Sequence, residues 1–271
     1  MRLRRVHYYS HHGRRKHPTT VLHRFATGIV LPVALVVAAG AIVTTAWLAP
    51  ATYTVQAGTL VLALGASMLR LLAAYALALL IGVPLGLLAE RSRRFESVLL
   101  PIYDVMESLP VLAFFPIIIL FFLDSGLLEG AAVFMIFFTI LWTISFSTIG
   151  GMHQIPEDVR SAGRVFGLSA WHRLTRITLP ALFPPLLTAS ILGIADGWNI
   201  VIVAETLHAY APVNSHAADL FGIGSILVNA STNGNNALLL SAMGLLVVTI
   251  AVVNLALWQP LLARAERFKF E

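Results

Sequence analysis

Val159-Arg160-Ser161-Ala162-Gly163-Arg164-Val165-Phe166-Gly167-Leu168-Ser169-Ala170-Trp171-His172-Arg173-Leu174-Thr175-Arg176-Ile177-Thr178-Leu179-Pro180 is the long polar, basic interruption in an otherwise oily chain. Arg160, Arg164, Arg173 and Arg176 stud it, while Val159, Ala162, Val165, Phe166, Trp171, Leu174 and Ile177 recur at near-helical spacing. The pattern predicts two short helices hinged at Gly167. A glycine there can take the left-handed conformation that ends the first helix. Ser169 can cap the second, and Pro180 cannot continue it unkinked. The expected product is an amphipathic knob between two membrane spans, with an apolar face and a basic rim suited to another protein's groove.

Outward from the knob, composition sets the class. The chain has 271 residues, 58% of them hydrophobic and only 11% charged, with a mean hydropathy of +0.84. Soluble domains carry about 25% charged residues, so long apolar runs here mean one polytopic membrane domain. Without cysteine, disulfide and thiolate chemistry are excluded. Residues 1–24 form a basic, histidine-rich tail expected in the cytosol and drawn to anionic lipid. Phe25 to Ala49 is long enough to be a first span, and 25–58 holds that span with its outer connection. Thr59 to Ala89 is broken only by Arg70. It is too long for one upright span, so Leu71 to Ala89 is read as the second, with residues 56–69 lying on the outer surface. Arg70 then sits near the outer interface, or else faces the pathway, where a fixed cation would attract an anion. Gly82 and Gly86 form a small-xxx-small pair that admits a neighbouring helix.

The third span is expected over Leu99 to Leu123, opening with Pro101, Asp104 and Glu107, then Pro110 and Pro116; its prolines suggest a cavity-lining helix. The fourth runs over Ala131 to Gly150. After the knob, within a cytoplasmic loop at 151–185, the fifth runs over Leu186 to Thr206 and carries Asp196, Asn199 and Glu205. A carboxylate in mid-span favours a pathway or helix-packing position over lipid. His208 to Asn236 reads as a polar outer loop, and Ala237 to Trp258 as the sixth span.

Charge placement tests the layout. Of 18 Lys and Arg, seven lie in the N-terminal tail, three at 91–94, four in the knob and three at 264–271, which leaves only Arg70. The positive-inside rule then gives six helices with both termini cytoplasmic, in an all-α membrane protein whose core is 59–263. The basic balance therefore reports topology, and no nucleic-acid partner is expected. Catalytic chemistry is not expected either. No Gly-Lys pair exists to build a phosphate-binding P-loop, the only lysines are Lys16 and Lys269, and no metal-ligand motif appears. Work done on a solute would come from another polypeptide.

The knob resembles the cytoplasmic loop of ABC importer permeases, which reads Glu-Ala-Ala, three residues, Gly, nine residues, Ile, one residue, Leu-Pro. Ser161-Ala162-Gly163, Gly167, Ile177 and Leu179-Pro180 keep that spacing, with Ser161 and Gly163 as departures. Over about 59–268 the chain is similar to permeases of nitrate, sulfonate, taurine and bicarbonate importers, on Ser67 to Arg70, Gly82 to Gly86, Ser108-Leu109-Pro110, Ala204-Glu205 and Gly222 to Ser225. The resemblance implies a type I importer fold in the bacterial or archaeal inner membrane. It implies a second permease copy, an extracytoplasmic binding protein, and ATPase subunits that hold ATP and Mg, this chain binding no cofactor itself. Ser161, Ala162, Gly163, Arg164, Phe166, Gly167, Trp171, Ile177, Leu179 and Pro180 would make the ATPase contact. Arg70, Pro110, Asp196, Asn199 and Glu205 would line the pathway. Two carboxylates are awkward for an anion path. Either they pair with cations such as Arg70, or face helix contacts, or the solute is not a simple anion. The competing reading is a proton-coupled secondary transporter using Asp196 and Glu205.

Overall fold

The structure is a computed structural model and describes residues 36, 40 and 57–266, apart from 125 and 210–218. All of the expected first span but residues 36 and 40, together with the basic tail, His216, Arg267 and Lys269, lie outside the described residues. All regular structure among the described residues is helical. In order these are α1 (Ala57–Arg91), α2 (Arg93–Ser108), a 3-10 turn (Val111–Phe114), α3 (Phe115–Asp124), α4 (Leu128–His153), α5 (Glu157–Val165) and α6 (Ala170–Arg173). A π-helical turn (Leu174–Thr178) leads into α7 (Leu179–Ala204). Then come α8 (Ile223–Thr232), α9 (Asn236–Val253), a second π turn (Asn254–Trp258) and α10 (Gln259–Ala265).

Four helical stretches are long and apolar enough to cross a membrane: 57–91, 128–153, 170–204 and 236–265. A fifth crossing is possible in length only if the bent pair 94–108 and 111–123 counts as one. At the centre α4 packs against α1 on one side and α7 on the other. Met135, Ile136, Ile140 and Ile144 fill the seam and are wholly buried. Close approach is bought by glycine. A Cβ on Gly86 would lie 2.6 Å from Thr148 Cβ, and one on Gly82 2.9 Å from Ser145 Oγ, so the small-xxx-small pair seats α4 as expected. From the other side, a Cβ on Gly197 of α7 would stand 2.5 Å from Leu71 Cδ1.

Four expectations about the spans are corrected. Residues 57–69 do not lie flat on the surface: α1 runs unbroken through Arg70 for 35 residues, about 50 Å at 1.5 Å per residue. The reason is that Arg70 is paired inside the bundle and need not reach water. The third span is not one rod, because the chain bends by 88° between α2 and the helical segment after it. Leu109 and Pro110 are both extended at the break, with ψ of 130° and 115°. A residue before proline is pushed out of the helical region, and proline offers no amide to continue it. The fifth span begins before Leu186. α7 starts at Leu179 and carries Pro184 and Pro185 inside it. Finally, the segment from His208 to Asn236 is not only loop, since it contains α8, whose Ile223 and Leu227 are buried in the core.

Candidate functional site

The knob comes first. α5 ends at Val165, and Gly167 follows at φ +66°, the left-handed conformation expected of it. Ser169 caps α6, its hydroxyl accepting from the His172 amide at 3.3 Å. The helix does not stop at Pro180. Through Leu174–Thr178 the backbone pairs with a five-residue step, the Leu179 amide donating to the Leu174 carbonyl. Pro180 then falls directly after the π turn, where the helical pairing has already shifted from its regular step. The knob's second helix is therefore continuous with a membrane-length helical stretch, 170–204.

Two faces of the knob separate cleanly. Val165, Phe166 and Trp171 stand 83, 79 and 69% exposed at its tip. Inward, Gly163 is buried, and a Cβ there would meet Ile177 Cδ1 at 2.8 Å and the Arg173 stem at 3.4 Å. An alanine there would require the end of the Ile177 side chain to shift. Arg160 fastens the knob to the bundle by pairing with Glu90 at the end of α1 and with the Met152 carbonyl at the end of α4. Sequence spacing could not have found this residue's role, because Glu90 is 70 positions away. Ser161 and Ala162 are half-buried and Leu179 is 40% exposed. The side chain of Arg164 lies outside the described residues.

The expected pathway residues do not form one cluster. Arg70 is 7% exposed and held on two sides. Its Nε and Nη2 donate to Glu129 at 2.6 and 2.7 Å, and its Nη1 donates to Glu205 Oε1 at 2.7 Å and to the Phe221 carbonyl at 3.0 Å. Glu205, the residue at the C-terminal end of α7, is wholly buried. Besides Arg70 it accepts from Ser67 Oγ at 2.6 Å and from the Gly224 amide at 2.8 Å. Ser67 in turn accepts from the Ile223 amide at 2.9 Å. Gly222 and Gly224 are needed here for space, since a Cβ on Gly222 would lie 2.2 Å from the Glu205 carboxylate and one on Gly224 2.5 Å from Ile202 Cα. The result is a clasp joining α1, α4, α7 and the start of α8.

Arg70 is thus paired inside the bundle. With one cation against two carboxylates, the clasp offers no free positive charge to a passing anion. Of the choices for the carboxylates in the fifth span, Glu205 takes the pairing with Arg70. Asp196 does not: it is exposed on the opposite face of α7, in a stripe with Thr188, Leu192, Ala195 and Asn199. Asn199 is tied only to its own helix, its Nδ2 donating to the Ala195 carbonyl at 3.3 Å. Nine residues of helix put Asp196 and Glu205 about 13 Å apart along the axis, and burial puts them on different sides, so the two carboxylates do not share one site. The stripe leads into a cavity of about 500 Å³ between α4 and α7, lined by Ser147, Gly151, Gln154, Pro184, Pro185 and Thr188. Pro110 marks the bend after α2 and is exposed. No group of three or more metal-ligating side chains occurs among the described residues.

Comparison with known proteins follows the same lines. The family model for the inner membrane component of binding-protein-dependent transport systems matches residues 82–267. The nitrate import permease protein of Leptolyngbya laminosa is 31% identical over 194 residues, covering 72% of this chain and 63% of that protein. The bicarbonate transport system permease protein of Synechococcus elongatus is 31% identical over 140 residues, 52% of this chain and 49% of its own length. The taurine transport system permease protein of Escherichia coli is 27% identical over 146 residues, 54% and 52% of the two chains. The chain thus spans about half to three fifths of the curated relatives it matches. Among solved structures, an inward-facing form of the MetNI methionine ABC transporter superposes with a TM-score of 0.63 at 16% identity, over 77% of this chain and 97% of that one. That likeness speaks for the fold. On the match over 82–267, the chain belongs to the family of inner membrane components of binding-protein-dependent transport systems.

Proposed function

We propose that this chain is the permease subunit of an ATP-driven ABC importer, supplying half of a translocation pathway for a small solute. The solute class suggested by the relatives is that of nitrate, bicarbonate and taurine. Two permeases would face each other in the inner membrane, each docked through its knob onto a cytoplasmic ATPase that binds ATP and Mg, with an extracytoplasmic binding protein delivering solute. The observation that carries this reading is the knob itself. Its tip exposes Val165, Phe166 and Trp171 together beside a left-handed Gly167, and its second helix runs without a stop into α7. An apolar tip of this kind is unfavourable in water and fits a partner's groove. The exposed stripe of α7 with Asp196 and Asn199 supports a pathway between permeases, because a carboxylate at that depth needs water or a partner.

The test is co-purification of the ATPase with Gly167→Val and Gly167→Asn. Asparagine tolerates the left-handed conformation and a β-branched residue does not. The asparagine variant should retain the ATPase while the valine variant loses it, both with helical content intact. Equal retention by both would remove the knob from the docking role.

A further inference from the structure

Between the knob and the membrane helices lies a second cavity, of about 490 Å³, walled by the ends of α1 and α4 on one side and by 170–178 on the other. Its charges do not cancel. Glu90 is taken by Arg160, whereas the side chains of Arg91 and Arg173, which also line the cavity, have no hydrogen-bond or ion-pair partner among the described residues. Arg173 is half-buried, and its Nε is shielded from solvent with no acceptor. A shielded guanidinium donor without an acceptor is costly, and with the exposed Arg91 adding a second uncompensated charge to the same cavity, the excess positive charge calls for an anion. Apart from these charged groups and Thr178 the wall is apolar, with Leu87, Met152, Leu174 and Ile177. The positive-inside layout puts this cavity at the cytoplasmic headgroup level.

We propose that this cavity binds a phosphate-type anion, with Arg91 and Arg173 as its ligands and the Leu87–Ile177 wall accommodating an apolar portion. Two sources share that chemistry: the headgroup of an anionic phospholipid and a free cytosolic phosphate. Basic recesses between helices on the cytoplasmic side are suited to lipid phosphates, and arginine to their oxygens. Because Arg160 and Arg173 both belong to the knob, an occupant here would bear on the lever as well as on α1 and α4. The inference rests on the cytoplasmic placement of the knob and not on import.

The experiment uses the full chain, purified and delipidated in a neutral detergent, and reads binding by native mass spectrometry and calorimetry. The probes are dioctanoyl phosphatidylglycerol, dioctanoyl phosphatidylcholine and inorganic phosphate. Saturable binding of phosphatidylglycerol over phosphatidylcholine is expected. Each of Arg91→Gln and Arg173→Gln should weaken it about fivefold, from the ~1 kcal/mol that a basic residue contributes near an anionic surface. Arg94→Gln, on the exposed side of α2, should leave it unchanged. Competition by inorganic phosphate identifies a free-anion site and its absence a headgroup site, and either supports the proposal. Equal binding of both lipids, an effect of Arg94→Gln as large as that of the cavity variants, or no loss in either cavity variant would overturn it. Arg91 is exposed, so its variant remains informative should Arg173→Gln impair folding.

Discussion

Replacing Glu205 by alanine is the sharpest test of how the bundle is held together. The carboxylate is wholly buried and accepts from Arg70 Nη1 at 2.7 Å, Ser67 Oγ at 2.6 Å and the Gly224 amide at 2.8 Å. Its removal strands the Gly224 amide and takes from the buried guanidinium one of its carboxylates, leaving Arg70 Nη1 only the Phe221 carbonyl and Ser67 Oγ only the Ala63 carbonyl at 3.1 Å. Breaking a buried pair by deleting one partner costs about 3–5 kcal/mol, mostly the desolvation of what is left behind. Glu129 is the internal control. It holds the same guanidinium through two bonds but is 63% exposed, so Glu129→Ala should cost at most about 1 kcal/mol. The double variant Arg70→Met/Glu205→Met leaves no orphaned charge from that pair. It should cost less than the two single losses together, by about 2 kcal/mol of coupling. The assay is unfolding in mixed micelles followed by circular dichroism, with hydrogen exchange at the Gly224 amide as the local readout. Glu205→Ala should abolish protection of that amide, and Glu129→Ala should not. Equal destabilisation by Glu129→Ala and Glu205→Ala, or strict additivity of the Arg70/Glu205 pair, would refute the reasoning.

Further outcomes follow from the same geometry. Gly86→Leu should separate α1 from α4, because even a Cβ would stand 2.6 Å from Thr148; a cost of about 2 kcal/mol or more would appear as a lowered melting temperature. Trp171→Ala should leave the spans unchanged, since Trp171 is 69% exposed, yet weaken ATPase binding by about 2 kcal/mol as an interface anchor, measurable by titrating the ATPase. Asp196→Leu should preserve stability better than Glu205→Ala, the carboxylate being exposed on α7, while altering solute flux in proteoliposomes; unchanged flux would take the stripe out of the pathway.

The knob was legible because its signals are local. A left-handed Gly167, the Ser169 cap and the apolar spacing of Val165, Phe166 and Trp171 depend on neighbours a few residues away. Gly82 and Gly86 were legible for a similar reason, since small residues one turn apart mark a face without naming its partner. The bend after α2 was half legible. Pro110 announced a broken backbone bond, but an 88° turn depends on what the two halves pack against. The π turn before Pro180 left no mark in the sequence, because it changes which carbonyl an amide reaches and not which residues are present.

Composition, the apolar runs and the arrangement of 17 of 18 basic residues by themselves determined a polytopic helical membrane protein with a basic knob between two spans. Those properties add up residue by residue, through transfer free energies and charge. The fate of Arg70 could be decided only in three dimensions. Its partners, Glu129 and Glu205, are 59 and 135 positions away. Read along the chain, an arginine interrupting an apolar helix implies an interface or a pathway. Once folding surrounds it with two carboxylates it becomes a buried fastening, because the cost of burying a charge depends on what faces it.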